Sequence, residues 1–132
     1  MPEENVEIVR SIYEAFNRRD WDAAFRDLAP DVKYTLPPGG PTAGTYRGRE
    51  ELESFWEEMS AAFETWTPEP EELIESGDQV VVVVKARMRP RGSSAEIERR
   101  NGNLWTIRDG MVVSMRVFAK PEEALEAAGL AE

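Results

Sequence analysis

The chain has 132 residues, 41% of them hydrophobic, and carries 16 basic against 26 acidic side chains for a net charge of −10. That length suits one domain burying roughly two-thirds of its unfolded surface, and the charge argues against nucleic acid and anionic membrane as partners. With neither cysteine nor histidine, disulfides, thiolate sites and the usual neutral-pH general base are excluded.

Residues Pro2 to Phe16 set Val9, Ile12, Tyr13 and Phe16 at helical spacing. Asp20 is an N-cap for a second, short helix carrying Trp21, Ala24, Phe25 and Leu28 on one side, and Pro30 closes it. Val32 to Leu36 is a short strand with Val32, Tyr34 and Leu36 in phase, and Pro37 to Gly48 is a Pro/Gly/Thr-rich loop. From Arg49 to Glu64 a helix aligns Leu52, Phe55, Trp56, Met59 and Phe63 as a core-facing stripe.

Trp66 to Ser76 is extended and turns at Gly77-Asp78 into a strand from Val80 to Met88, whose five consecutive valines favour burial on both faces. Arg89 to Ala95 is a loop, and a further strand starts at Ala95. Opposite charges set a register with Arg89 facing Glu96 and Arg87 facing Glu98, which places Val84 against Asn101 and Val82 against Asn103. Asn101-Gly102 reads as a bend or bulge within that strand, or else as a hairpin turn.

The next turn reads as a three-residue loop, Arg108-Asp109-Gly110, that keeps Trp105, Ile107, Met111, Val113, Met115 and Val117 on one face. That apolar face runs back into Asn103, Asn101 and Arg99. Pro121, Glu122, Glu123 and a Gly129 stop describe a closing helix. Acids without a single Lys or Arg fill Glu50 to Val84, whereas Lys85 to Lys120 is mostly basic. This suggests acidic helices covering one side of a sheet with a basic opposite face.

Helices, a strand, a helix and then long antiparallel strands make an α+β order. The stretch V-x-x-I-Y-E-A-F-N-R-R-D-W-D from Val9, the R-G-R-E-E-L before the third helix and the D-G-x-V-V-S-M-R ending resemble the nuclear transport factor 2-like superfamily, in its SnoaL-like and ketosteroid-isomerase-like branch. The resemblance implies a single SnoaL-like domain over residues 1–132. Its fold would be a cone-shaped α+β barrel, cystatin-like, with a curved antiparallel sheet wrapped around a long N-terminal helix, an apolar pocket and a homodimer formed through the sheet. It also places Tyr13 where the isomerases polarise a substrate carbonyl, Asn103 where they have a protonated aspartate, and Leu36 where they have the general base.

Three functions follow as expectations. In the first, Tyr13, Phe16, Tyr34, Leu36, Trp56, Met59, Phe63, Val82, Val84, Asn101, Asn103, Trp105, Met115 and Val117 line a pocket for a small hydrophobic molecule. In the second, Tyr13 and Asn103 are catalytic hydrogen-bond donors to a small apolar carbonyl compound or epoxide, with Asp31, Glu14 or Glu57 as the source of a base. In the third, Val81, Val83, Lys85, Arg87, Ser114, Arg116 and Phe118 form an outer sheet face that dimerises. No cofactor is expected. No metal is expected either, since only carboxylates and amides are available and no calcium-loop spacing occurs. No apolar run reaches the ~20 residues of a membrane span and no secretory leader is evident, so the expected location is the cytoplasm.

Overall fold

The structure, a computed structural model, describes residues 2–36 and 44–130. Helix α1 (Pro2–Asn17) presents Val9, Ile12, Tyr13 and Phe16 to the core, as their spacing requires. It ends where Arg19 adopts φ +61°, and Arg19 then donates to the backbone carbonyl of Trp66 at 2.9 Å. Asp20 caps α2 (Trp21–Phe25), its carboxylate accepting from the Ala23 amide. Helix α3 (Gly48–Ala62) buries Leu52, Phe55, Trp56 and Met59, and α4 (Pro121–Ala127) closes the chain, with Gly129 at φ +75° beyond it.

Strands β1 (Leu28–Leu36), β2 (Gly44–Arg47), β3 (Phe63–Ser76), β4 (Gln79–Pro90), β5 (Ile97–Arg108) and β6 (Met111–Phe118) form one curved sheet in the order β2-β1-β6-β5-β4-β3. All pairs are antiparallel except β1 with β6, which run parallel. Strand β1 starts earlier than expected and contains Pro30. The proline fits because pairing to β6 is interrupted between Leu28 and Lys33, where no ladder donor is required. Part of the expected loop at 37–48 is strand β2, paired to β1 from Lys33↔Arg47 to Leu36↔Gly44; its residues 37–43 lie outside those described.

The register of β4 against β5 runs unbroken from Gln79↔Thr106 to Met88↔Ile97 and includes Val82↔Asn103, Val84↔Asn101 and Arg87↔Glu98. Glu96 precedes β5, so Arg89 pairs with Glu64 of β3 instead, at 3.4 Å. Asn101-Gly102 is neither a bulge nor a turn. Gly102 sits in regular ladder pairs with Val83 and Phe118, and its missing side chain makes room for α4: a Cβ there would lie 2.7 Å from the Ala124 Cβ and 2.9 Å from the Pro121 Cα.

The β5–β6 connection corrects the expected three-residue loop. Arg108 pairs with Met111 across a two-residue turn in which Asp109 (φ +53°) and Gly110 (φ +78°) are both left-handed. That turn inverts the facing of β6, so Val112, with no exposed surface, points into the core in place of Met111 and Val113. An irregularity between Val112 and Ser114 leaves Val113 unpaired and restores the phase, so that Met115 again faces Trp105 and Val117 faces Asn103.

Val80, Val82 and Val84 lie in the main core under α1 and α3, whereas Val81 packs with Leu104 and Ala124 beneath α4. Both faces of the valine run are therefore covered within one chain. This removes Val81, and Val83 at 5% exposure, from the outer face expected to dimerise. The acidic block is not a helical layer opposite a basic face either. Glu69 and Glu71 of β3 pair with Arg87 and Arg100 of β4 and β5, and Glu98 pairs with Lys85 and Arg87. Each such exposed pair contributes at most about 1 kcal/mol.

Candidate functional site

The inner face of the sheet and the facing sides of α1 and α3 enclose a cavity of about 770 Å³, towards the upper end of the ~300–1,000 Å³ common for small-molecule sites. Helix α1 contributes Ile12, Tyr13 and Phe16, α3 contributes Phe55, Trp56 and Met59, and β1 contributes Tyr34 and Leu36. Strand β5 presents every second residue, Ile97, Arg99, Asn101, Asn103 and Trp105, because side chains on one face of a strand recur with period two.

All the expected pocket positions line this cavity except Val82, which is fully buried in the core and takes no part in the wall. The wall also includes Trp66, Pro68, Ala86, Met88, Ile97, Arg100 and Ala119. Ala86, Met88 and Ile97 follow from extending the β4–β5 register beyond Val84↔Asn101. Trp66 and Pro68 depend on how β3 closes against α1, for which no local pattern exists.

The polar end is a chain of hydrogen bonds. Asn101 Nδ2 donates to Asn103 Oδ1 at 2.8 Å, Asn103 Nδ2 donates to the Tyr13 hydroxyl oxygen at 2.7 Å, and Trp105 Nε1 donates to the same oxygen at 3.1 Å. Tyr13, Asn103 and Trp105 are 5%, 7% and 3% exposed. Trp105, expected as apolar wall, is thus a polar partner too. An indole that meets tyrosine edge-on, as here with centroids 5.6 Å apart, can bring its N–H to the phenol oxygen.

A hydroxyl has two lone pairs and one proton. Both lone pairs of Tyr13 are engaged, so its remaining capacity is to donate, and no described residue accepts its proton. The two N–H donors polarise the O–H bond. Burial pushes the phenol well above its ordinary value of 10.0, outweighing the hydrogen bonds from Trp105 and Asn103 that lower it. Tyr13 is therefore a neutral donor and not a base. Tyr34 is raised by burial and by its neighbour Tyr13, and its ring stands edge-on to Trp105 at 5.8 Å.

Asn103 holds the oxygen of Tyr13 with one N–H of its amide, and the second N–H of that nitrogen has no acceptor among the described residues. Leu36 occupies the wall, and no carboxylate lines the cavity among the described residues. Asp31, Glu14 and Glu57, the expected sources of a base, are all exposed and outside the wall. None of these three is therefore placed within hydrogen-bond reach of a molecule in the cavity, as a base must be. Among the described residues no group of three acidic side chains could hold a metal ion, and no helix is long and apolar enough to cross a membrane.

The SnoaL-like domain profile matches residues 9–115. This chain belongs to the SnoaL-like family. Within its NTF2-like superfamily, the SnoaL-like chain is similar to an NTF2-like protein of unknown function from Burkholderia pseudomallei, at 28% identity and a TM-score of 0.82 over 93% of this chain and 95% of that one. TerC, crystallised with polyporic acid, is 25% identical at a TM-score of 0.81, covering 96% of this SnoaL-like chain and 98% of its own. Uncharacterized protein Rv0034 of Mycobacterium tuberculosis is 26% identical over 123 residues, 92% of this chain and 93% of that protein.

Proposed function

We propose that this SnoaL-like protein binds a small, largely apolar molecule whose oxygen accepts a hydrogen bond from Tyr13. The reading rests on the Tyr13 hydroxyl, whose two lone pairs are taken by Asn103 and Trp105 while its proton has no partner among the described residues. Aromatic and aliphatic walls offer apolar burial worth roughly 25 cal/mol per Å², and one aimed donor selects a carbonyl or similar acceptor from otherwise apolar compounds. The similarity to TerC, crystallised with polyporic acid, supports an oxygenated organic ligand.

Binding without proton abstraction is favoured by the wall's lack of a carboxylate among the described residues. Titration calorimetry with flat apolar ketones tests the proposal. Tyr13→Phe is expected to weaken ketone binding by roughly tenfold, the loss of about one hydrogen bond. Ala86→Phe, which fills the cavity from the sheet side, is expected to abolish it. Ketones that bind both variants as well as the parent would refute the reading.

A further inference from the structure

Moving from Trp105 towards the start of β5, the cavity face changes from the buried Asn103 through the half-buried Asn101 to an exposed guanidinium at Arg99. Asn103 and Arg99 are four residues apart on one strand face, about 13 Å along the strand. Among the described residues the cavity wall includes two charged residues, Arg99, in phase with the inner face, and Arg100, out of phase with it, and both are cationic in a chain with a net charge of −10. Arg100 is committed to Glu71 at 3.0 Å. Arg99 pairs with no described acid, whereas Lys85, Arg87 and Arg89, which alternate with Ala86 and Met88 and so lie on the other face of the sheet, all do.

We propose that Arg99 is an anion-reading residue of the cavity, and that the ligand is an apolar organic acid. Its carboxylate or equivalent anionic group meets Arg99, while a separate acceptor oxygen at its other end meets Tyr13. This deepens the binding function proposed above and rests on it. A planar guanidinium matches a carboxylate with two parallel hydrogen bonds, which are stronger than neutral ones. Ala86, across the ladder from Arg99, and Met88 give the rest of the ligand apolar wall beside it. With no carboxylate in the wall among the described residues, an anionic ligand meets a cation and no like charge there.

The test uses 4-benzoylbenzoate and 4-(4-phenylbenzoyl)benzoate, each beside its neutral methyl ester, titrated into the parent protein and into Arg99→Gln, Arg99→Lys and Ala86→Phe. Arg99 is exposed and unpaired among the described residues, so its replacement leaves the fold intact, as circular dichroism will confirm. The expected result is that the parent prefers acid over ester by about tenfold or more, that Arg99→Gln brings the two within about twofold, and that Arg99→Lys retains part of the preference. The preference is also expected to shrink as salt rises.

Equal binding of acid and ester by the parent, with both lost in Ala86→Phe, would overturn the role of Arg99 and leave the cavity reading standing. An acid preference that survives in Arg99→Gln would do the same. Failure of all four compounds to bind, or binding indifferent to Ala86→Phe, would overturn both.

Discussion

Trp105 and Tyr13 are 92 residues apart in sequence, yet the indole N–H of one donates to the phenol oxygen of the other at 3.1 Å, with the rings nearly perpendicular at 71°. The contact ties the first helix to the fifth strand and leaves the tyrosine proton as the only hydrogen-bonding function it can still offer.

Removing that oxygen leaves two donors without their acceptor. Tyr13→Phe is expected to destabilise the fold by about 1–3 kcal/mol in urea unfolding, because the Asn103 and Trp105 N–H groups lose their partner in a buried setting. Trp105→Phe deletes a donor and keeps the Asn103 bond, so its hydrogen-bond cost should be smaller, about 1 kcal/mol. A Trp105→Phe loss exceeding that of Tyr13→Phe would show that ring packing dominates here.

Alkaline stability should report the same burial. Tyr13 and Tyr34 both have folded values raised above the ordinary 10.0. Above that pH the unfolded chain releases their protons and the folded chain keeps them. Their contribution is therefore complete below pH ~10 and is lost as pH rises further, at up to about 1.4 kcal/mol per pH unit for each tyrosine. Unfolding titrations from pH 8 to 12 should show this decline, and Tyr13→Phe should flatten it; an unchanged slope in the variant would contradict it.

Two glycines should fail for opposite reasons when changed to alanine. At Gly110, φ +78° disfavours any side chain while the space is open, so Gly110→Ala should cost about 1–2 kcal/mol that no neighbouring change relieves. At Gly102 the obstacle is contact with α4. Gly102→Ala should cost about 1–3 kcal/mol, and pairing it with Ala124→Gly should recover part of that, since the 2.7 Å approach to the Ala124 Cβ disappears. Strict additivity of those two changes would argue against the contact.

The wall position Leu36 offers a gain-of-function experiment. In deuterated water the parent protein should not accelerate α-hydrogen exchange of 2-tetralone, since no described carboxylate lines the cavity. Leu36→Asp introduces one into the wall that also carries the Tyr13 donor and should raise exchange by about 10²-fold. Measurable acceleration by the parent would point to a base that the described wall does not contain.

Much of this architecture was legible along the chain. Helical spacing placed Tyr13 and Phe16 on the core face of α1, and the alternation of β5 put Asn101, Asn103 and Trp105 on one side. Charge pairing between Arg87 and Glu98 gave the β4–β5 register, and with it the neighbours of both asparagines. These features depend on residues close in sequence or on one ladder, where period and charge carry the information.

The rest depended on tertiary contacts. Apolar alternation in β6 is compatible with two phases, and only pairing to β1 and β5 decided that Val112 points inward, with Val113 as the extra residue. Asn101-Gly102 has the composition of a turn, but it pairs as regular strand, with α4 packed on Gly102. Most consequential for function, Trp105 and Asn103 each turn an N–H onto Tyr13, and Arg99 is left at the cavity edge without an acid among the described residues. Sequence determined which side chains share a face on α1 and β5. Only folding, by bringing a helix and a strand 90 residues apart into hydrogen-bond distance, decided which donors are consumed and which remain for a ligand.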